Sequence, residues 1–585
     1  MNDTVVIVNK SKCSPTTCGN YLCMRFCPRN KAGDECIIVD ADKKVAVNEE
    51  VCIACNICVN KCPFKALSVV NTPKELKTSP VHQYNKNGFR LYGLPIPKKG
   101  LSIGLLGANG IGKSTALQVL AGDLRLNLGD YDKKASDEDI LKFFIGTETM
   151  QFMKDKFNAK HKTAYKPQYV EAIPKAYNGS VRDLLKKINK DYEKTVSELD
   201  ITRILDTDIK NISGGELQRV AIAASLLKNA NNYFFDEPSS YLDIKQRLKI
   251  SSIINGLKND ETNLFIVEHD LIMMDFMTDL VHIFYGSNGA YGVTSYPYTS
   301  REGINAYLKG YLANENMKFR DKPIIYDLKG DEKSAKRDLL NSWDGMKKKL
   351  GNFTLTVNPG ALYEGEVTGI VGANGIGKTT FARIIAGELE PDSGLIDRKV
   401  KISYKPQYIK ADSEMKVREL ILTNPLYESY KHYFRHLEIE SLMNKQLNQL
   451  SGGELQRVMI VNCLTKDADI YLLDEPSAHL DVEQRIQVAK SLKDITMTRK
   501  KNALVIDHDL MFIDYVAERL LVFKGTPAVN GEAIGPMSMR AGMNLFLKDL
   551  NITFRRDETS HRPRPNKESS VKDREQKSKG EYYYS

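Results

Sequence analysis

Two long stretches of the chain carry the same alternation of short apolar runs and amphipathic segments. In the first, residues 101–106 read as a buried strand, residues 115–120 as the start of a helix, and residues 233–235 and 264–268 as further apolar strands. In the second, Leu472 and Leu473 and the LVIDH run of residues 504–508 take the corresponding places. Short apolar strands alternating with amphipathic helices predict two α/β domains. Between residues 130 and 163 the pattern changes, because 137–144 and 149–157 are amphipathic at helical spacing and meet near Gly146. That predicts a helix-loop-helix with a basic second half, open to two readings: a decorative surface hairpin or an exposed docking element. Residues 558–585 are polar until Tyr582, so a tail without its own core is expected, wrapped on the rest or mobile.

The strand at 101–106 runs into Gly107–Ser114, GANGIGKS, and the second domain has GANGIGKT from Gly372 to Thr379. In G-x4-G-K-[ST] the glycines let backbone N–H groups surround a polyphosphate at a helix N-terminus. Gly107, Asn109, Gly110, Gly112 and Thr115, with Gly372, Asn374, Gly375, Gly377 and Thr380, are thus candidate nucleotide contacts. Lys113 and Lys378 would reach the outer phosphates, and the hydroxyls of Ser114 and Thr379 would hold Mg2+. Each loop is followed by the same words: YKPQY with Gln168 or Gln407, SGGELQR from Ser213 or Ser451, and an apolar strand into Asp236-Glu237-Pro or Asp474-Glu475-Pro. SSYLD or SAHLD comes next, and His269 or His508 follows another apolar strand. These motifs recur at an offset of 238 or 239 residues, whereas the loops differ by 265, so the 130–163 region is an insertion of about 26 residues in copy one. Tyr84 and Phe89, upstream of the first loop, are either adenine-stacking aromatics or ordinary core.

A further repeat lies outside these motifs. Arg301, Gly303, Asn305 and Leu308 recur as Arg540, Gly542, Asn544 and Leu547, and each set is followed by aromatic and basic residues, MKFRD at 317–321 and ITFRRD at 552–557. Two matching segments that pack together between the domains as a hinge, with a basic surface, are expected.

Composition changes this picture in two places. Lys plus Arg number 84 against 74 Asp plus Glu, a surplus compatible with a polyanionic partner without requiring one. No run approaches the ~18 to 20 apolar residues of a membrane span and no signal-peptide pattern opens the chain, so a soluble cytoplasmic protein is expected. Of the ten cysteines, nine lie between Cys13 and Cys62, which in a cytosolic chain points to metal. Cys52, Cys55, Cys58 and Cys62 followed by proline form C-x2-C-x2-C-x3-C-P, the ferredoxin run for a [4Fe-4S] cluster. Cys13, Cys18, Cys23 and Cys27 keep its C-x3-C-P end with wider gaps before it. In two-cluster ferredoxins the fourth cysteine of each run serves the other cluster, which assigns Cys13, Cys18, Cys23 and Cys62 to one cluster and Cys27, Cys52, Cys55 and Cys58 to the other. Cys36 is left over, and structural zinc is the alternative metal.

The loop, glutamine, SGGELQR, Asp-Glu and histidine in this order resemble the ATP-binding cassette family of P-loop ATPases. That resemblance implies Asp236 and Asp474 supporting Mg2+, Gln168 and Gln407 touching metal and attacking water, Glu237 and Glu475 polarising that water, and His269 and His508 sensing the outer phosphate. It also implies that Ser451, Gly452 and Gly453 cap the ATP on the first loop, and Ser213, Gly214 and Gly215 the ATP on the second. With the cysteine region, the insertion and the R-x-G-x-N repeat, the whole chain resembles the class E cassette proteins, the ribosome-recycling ATPases also called the RNase L inhibitor family, most like archaeal members.

The implied architecture is a ferredoxin-like α+β iron–sulfur domain (1–75), cassette one (76–295), a hinge segment (296–339), cassette two (340–530), a second hinge segment (531–557) and a basic tail (558–585). The implied activity is ATP-driven cassette closure that splits ribosomes after termination. The ribosome and its small subunit with rRNA, a release factor or its rescue relative, and initiation factors are the implied partners of a monomer. Three other readings compete: a transporter ATPase, a class F translation factor and an iron–sulfur-coupled redox or assembly ATPase. The first is disfavoured by two fused cassettes without a span, the second by the cysteine region, and the third by the lack of a flavin or nicotinamide fingerprint.

Overall fold

The computed structural model describes residues 4–10, 12–49, 51–71, 79–320, 322–326, 337–396, 400–407 and 413–583. Asp321, residues 327–336 of the expected first hinge segment and Tyr584 lie outside the described residues.

Each cassette is built on an eight-stranded sheet, and the two have the same strand order. In cassette one the order is His82–Gln83, Arg90–Tyr92, Tyr291–Thr299, Leu280–Ser287, Ser102–Leu106, Asn263–Val267, Asn232–Asp236 and Thr163–Lys166. In cassette two it is Met346–Leu350, Phe353–Val357, Asn530–Ser538, Arg519–Thr526, Val367–Val371, Asn502–Ile506, Ile470–Asp474 and Ile402–Lys405. The five strands from Leu280–Ser287 to Thr163–Lys166 run parallel, as do their counterparts. The central ones are buried along their whole length, which is why they read as continuous apolar runs. Their C-terminal ends deliver the phosphate loops, the Asp-Glu pairs and the histidines to one edge, where ligands bind in open α/β sheets.

The insertion forms two helices, Asp137–Phe143 and Glu148–Phe157, around Gly146 at φ +77°. It is the expected helix-loop-helix, and its apolar face is covered. Ile140, Phe144, Phe152 and Met153 are buried in one cluster with Leu117 and Leu120 of the phosphate-loop helix. Lys156 Nζ donates to the carbonyls of Val119 and Leu120, both at 2.8 Å, at the end of that helix. An amphipathic pair with one apolar face needs a core to cover it, and the loop helix supplies that core.

The expected hinge boundaries fall inside strands: 296 lies in Tyr291–Thr299 and 531 in Asn530–Ser538. The repeated helices, Ser300–Lys309 and Met539–Leu550, pack chiefly on the strands of their own cassettes rather than on each other. Of the basic residues after the first helix, Lys318 is exposed, whereas Arg320 is stacked over Tyr307 and donates to its carbonyl at 2.7 Å.

The end of the second hinge segment and the tail are folded together and bond both cassettes. Strands Phe554–Arg556 and Pro563–Pro565 pair antiparallel, and helix Val571–Lys579 follows. Arg562 and Arg564 donate to Asp275 of cassette one at 3.0 and 2.6 Å, and Arg556 to Asp514 of cassette two at 2.6 and 2.9 Å. Arg301 and Asn305 grip Asp557, while Asn544 accepts from the backbone of Tyr583. Many of the tail's buried residues are charged or polar, Arg562, Asn566 and Asp573 among them, so hydrophobicity gave little sign of them.

Near the N-terminus, strand pairs Thr4–Val8 with Leu67–Asn71 and Ile37–Val39 with Val45–Val47 surround three short helices and the cysteines. This unit docks on cassette one through Ile7 against Tyr92, Tyr291 and Val293, and through Glu49, which receives Arg90 at 2.9 and 3.0 Å.

Candidate ATP sites and cysteine cavities

Each phosphate loop leaves a buried strand and enters a helix, Lys113–Ala121 or Lys378–Ile385, through a glycine in the left-handed region. At Gly112 (φ +101°) a Cβ would lie 2.7 Å from Phe89, and at Gly377 (φ +96°) 3.0 Å from Phe353. Glycine is therefore required both by backbone conformation and by the aromatic ring packed behind each loop. Phe89 is half-buried there, whereas Tyr84 is largely exposed and its hydroxyl lies 3.0 Å from Thr115 Oγ1. Lys113 Nζ donates to the carbonyls of Gly107 and Ala108, and Lys378 Nζ to those of Gly372 and Ala373, at 2.6–2.8 Å. Burial lowers the pKa of both lysines, Lys378 to about 8.

The acidic side is equally regular. Thr379 donates to Asp474 at 3.0 Å, and Ser114 bonds Asp236. Burial, and then the adjacent glutamate, raise Asp236 and Asp474 to about 6. Asp236 Oδ1 is buried without a hydrogen-bond partner among the described residues. An orphaned carboxylate oxygen beside a hydroxyl at the foot of a phosphate loop suits a hard cation with oxygen ligands. Glu237 and Glu475 both adopt left-handed backbone, φ +49° and +48°. Gln168 and Gln407 donate to them at 2.7 Å, and the Nε2 atoms of His269 and His508 stand 3.5 and 3.7 Å away. Burial first, then the loop lysine, push both histidines well below the usual imidazole range, so each is neutral.

The two sites are joined across the cassettes. Asp243 caps its own helix by accepting from Gln246 N with one oxygen, and with the other accepts from Asn374 N of the opposite loop at 3.0 Å. Asp481 does the same with Gln484 N and Asn109 N, at 2.9 and 3.0 Å. Tyr241 and His479 meet edge to face, 6.2 Å apart, each backing its own signature glycine, Gly214 or Gly452. Ser213 and Ser451 are exposed and form capping boxes with Glu216 and Glu454.

The cysteines gather around two cavities. One is lined by Cys13, Cys18, Cys23 and Cys62, the other by Cys27, Cys36, Cys52, Cys55 and Cys58. Burial raises Cys23 to about 12 and Cys58 to about 11, with the neighbouring cysteines adding to it. Such thiols ionise only when a cation offsets the crowding, and an iron cluster is such a cation.

Residues 97–240 and 356–478 match the ABC transporter family, and residues 45–68 the 4Fe-4S binding domain family. An uncharacterized ABC transporter ATP-binding protein of Methanocaldococcus jannaschii is 46% identical, over 99% of this chain and 97% of its own. ABC transporter E family member 1 of Arabidopsis thaliana is 43% identical, over 99% of this chain and 98% of its own. The chain belongs to the class E family of ATP-binding cassette proteins. In a solved structure described as a model of ribosome-bound archaeal Pelota and ABCE1, one class E chain superposes with a TM-score of 0.93 at 46% identity, covering 100% of this chain and 99% of that one. Despite the transporter family name, no helix among the described residues is long and apolar enough to cross a membrane.

In this class E chain the structure brings together, within each cassette, the loop, the Asp-Glu pair, the glutamine and the histidine named from sequence. Among the described residues no hydrogen bond joins a signature serine or glycine to the opposite loop; the side chains that bond the opposite loop are those of Asp243 and Asp481. Those aspartates were visible as the last residues of SSYLD and SAHLD, and an Asp before an amphipathic run is an N-cap signal. Their second bond, across the cassettes, had no signal in a single copy. Phe353, which matches Phe89, was missed because it opens the strand Phe353–Val357 just after the lysine-rich strand Met346–Leu350. Arg247 and Arg485 were also missed. They pair with Asp270 and Asp509 at 2.8 and 2.5 Å, and Arg485 reaches His269 O of the other cassette at 3.4 Å.

Proposed function

We propose that this protein is an ATP hydrolase that splits ribosomes into subunits after termination, driven by closure of its two cassettes. The observation that carries this reading is the end-to-end likeness to a class E chain described as ribosome-bound together with Pelota. The ribosome with its small-subunit rRNA, and a release factor or its rescue relative, are the partners that follow.

The residues divide the work as follows. Lys113 and Lys378 give up their own loop's carbonyls to phosphate oxygens, and the loop N–H groups complete the cradle. Ser114, Gln168 and Asp236, with Thr379, Gln407 and Asp474 in the second site, would hold Mg2+, which when bound neutralises charge developing on the transferred phosphoryl group. Glu237 and Glu475 take the proton of the attacking water, oriented by Gln168 and Gln407, while neutral His269 and His508 hydrogen-bond the outer phosphate. The exposed signature serines come over the opposite phosphates only when the cassettes close. ATP then binds best in the closed state, so its binding drives closure and hydrolysis removes the bias. Asp243 and Asp481 keep each loop in register with the other cassette throughout.

Two [4Fe-4S] clusters, held by Cys13, Cys18, Cys23 and Cys62 and by Cys27, Cys52, Cys55 and Cys58, would make the N-terminal unit a rigid body carried on cassette one. The deciding experiment mixes the protein with ribosomes, Pelota-type factor and ATP, and follows subunits in a sucrose gradient. Subunit peaks that require ATP and both factors are expected; intact ribosomes throughout would overturn the proposal.

A further inference from the structure

Two residues before each catalytic glutamine lies a lysine that none of these roles uses. Lys166 and Lys405 end the edge strands Thr163–Lys166 and Ile402–Lys405 and are essentially unexposed, at 0% and 1%. Burying an ammonium is costly, and beside the two loop lysines this chain does it again at equivalent positions 239 residues apart. Each ammonium is spent on the same two acceptors. Lys166 Nζ donates to the carbonyls of Asp236 and Glu237 at 2.8 and 3.1 Å, and Lys405 Nζ to those of Asp474 and Glu475 at 2.7 and 3.3 Å.

The geometry of the glutamate explains the need. Glu237 and Glu475 stand where a buried strand ends, and their positive φ turns the chain out of the ladder. The carbonyls on either side of that turn lose their strand partners in a region closed to water, and an unpaired buried carbonyl is expensive. One ammonium with three donors can satisfy both at once and fix the angle between the two peptides. Gln218 and Gln456, from the signature helices, donate to the glutamate carbonyl from another side, at 2.8 and 2.6 Å. The neighbouring side chain on each strand, Tyr165 or Tyr404, lies on the opposite face, and Tyr165 reaches Asp236 Oδ2 at 3.5 Å. A left-handed glutamate is a strained conformer that persists only when its surroundings over-determine it.

We infer that Lys166 and Lys405 are positioning residues for hydrolysis, clamping the main chain of Glu237 and Glu475 so that each carboxylate is aimed at the attacking water. Their hydrogen bonds go to main-chain carbonyls, so they would act through the glutamates. Loss of the clamp lets the glutamate relax to right-handed backbone and withdraw its carboxylate, while the phosphate loop keeps its shape.

This inference rests on the general-base reading of the glutamates, and its test separates the two. Lys166→Met, Lys405→Met and their double variant keep side-chain length and remove the donors. Single-turnover hydrolysis and ATP affinity are measured for each, together with thermal stability, alongside Lys→Arg variants and Lys→Met in a Glu237→Gln/Glu475→Gln background. The double Lys→Met variant is expected to hydrolyse ATP at least about tenfold more slowly with affinity changed less than about twofold, the signature of an interaction needed only in the transition state. Lys→Arg should recover part of the rate, and Lys→Met should add nothing once the glutamates are glutamines. Equal losses of affinity and rate would mark the lysines as merely structural and overturn the inference, as would an unchanged rate. Wild-type turnover in the Glu→Gln background would instead overturn the general-base reading itself. Should Lys→Met not fold, the affinity-to-rate split in Lys→Arg decides, because a guanidinium cannot reproduce the two-carbonyl geometry of a compact ammonium.

Discussion

Glu237 and Glu475 show what a short motif conveys and what it leaves out. The Asp-Glu-Pro order after an apolar strand placed both carboxylates at a strand end, and the structure finds them there, 2.7 Å from the glutamines named with them. Their left-handed backbone could not be read, because nothing about a lone glutamate signals positive φ. The same holds for Asp243 and Asp481, whose capping role is local and legible while their bond to the opposite loop depends on how two distant segments meet. Glu237→Gln with Glu475→Gln keeps the shape and the bond from the glutamine but removes the base. Hydrolysis is expected to fall by about 10^2 or more with ATP binding intact, the loss typical of a positioned general base. Filter binding beside phosphate release measures both, and undiminished turnover would remove the glutamates from the chemistry.

Among elements, the insertion and the tail bracket the reach of pattern reasoning. Helical periodicity located both insertion helices to within a residue or so, but could not say that their apolar face covers the phosphate-loop helix. The tail escaped because charged and polar residues such as Arg562, Asn566 and Asp573 make up much of its interior beside Phe554 and Tyr583. Two consequences can be measured. In the insertion, Lys156→Met removes two charge-assisted bonds from the end of the loop helix and should destabilise cassette one by about 2 kcal/mol. Ile145→Asp, on a residue 73% exposed, should leave stability unchanged and weaken ribosome pelleting if the outer face docks. In the tail, burial alone would raise Asp275, but the guanidiniums of Arg562 and Arg564 outweigh it and hold its carboxyl below the usual range. Asp557 is likewise held low by the N–H groups of Thr559 and Ser560, Asn305 and Arg301, against the opposing effect of burial. A depressed folded pKa stabilises above the unfolded value of about 3.9 and is lost as pH falls through the folded value. Asp275→Asn, which strands two arginines, should therefore cost about 3 kcal/mol at pH 7. Calorimetry should show that difference shrinking as pH falls below about 4 and lost once pH passes below the depressed folded value, where the folded wild-type carboxyl is itself neutralised; a constant difference would contradict the pairing.

At the scale of the whole molecule, the two cassettes match strand for strand, down to the pairs Asp243 and Asp481, Arg247 and Arg485, and Asp275 and Asp514. Asymmetry enters where the chain adds parts, and both the cysteine unit and the insertion are attached to cassette one. The cysteine unit is fastened beside the first ATP site, because Arg90, which Glu49 holds with two bonds, follows directly on Phe89, the ring behind Gly112. Glu49 also accepts from Val6 N and from Asn87, so one carboxylate ties strand Thr4–Val8 of the unit to the cassette. A rigid unit can be swung by the cassettes only while that tie holds. Glu49→Ala should leave iron content, visible absorbance and basal ATP hydrolysis unchanged, since no cysteine or phosphate-loop residue is touched. The amide of Val6 should exchange faster, and ribosome splitting should fall by about tenfold, the size of an ordinary coupling free energy. Splitting at the wild-type rate in a variant whose Val6 amide exchanges faster would show that the unit need not be rigidly attached, and the lever would have to be sought in the insertion.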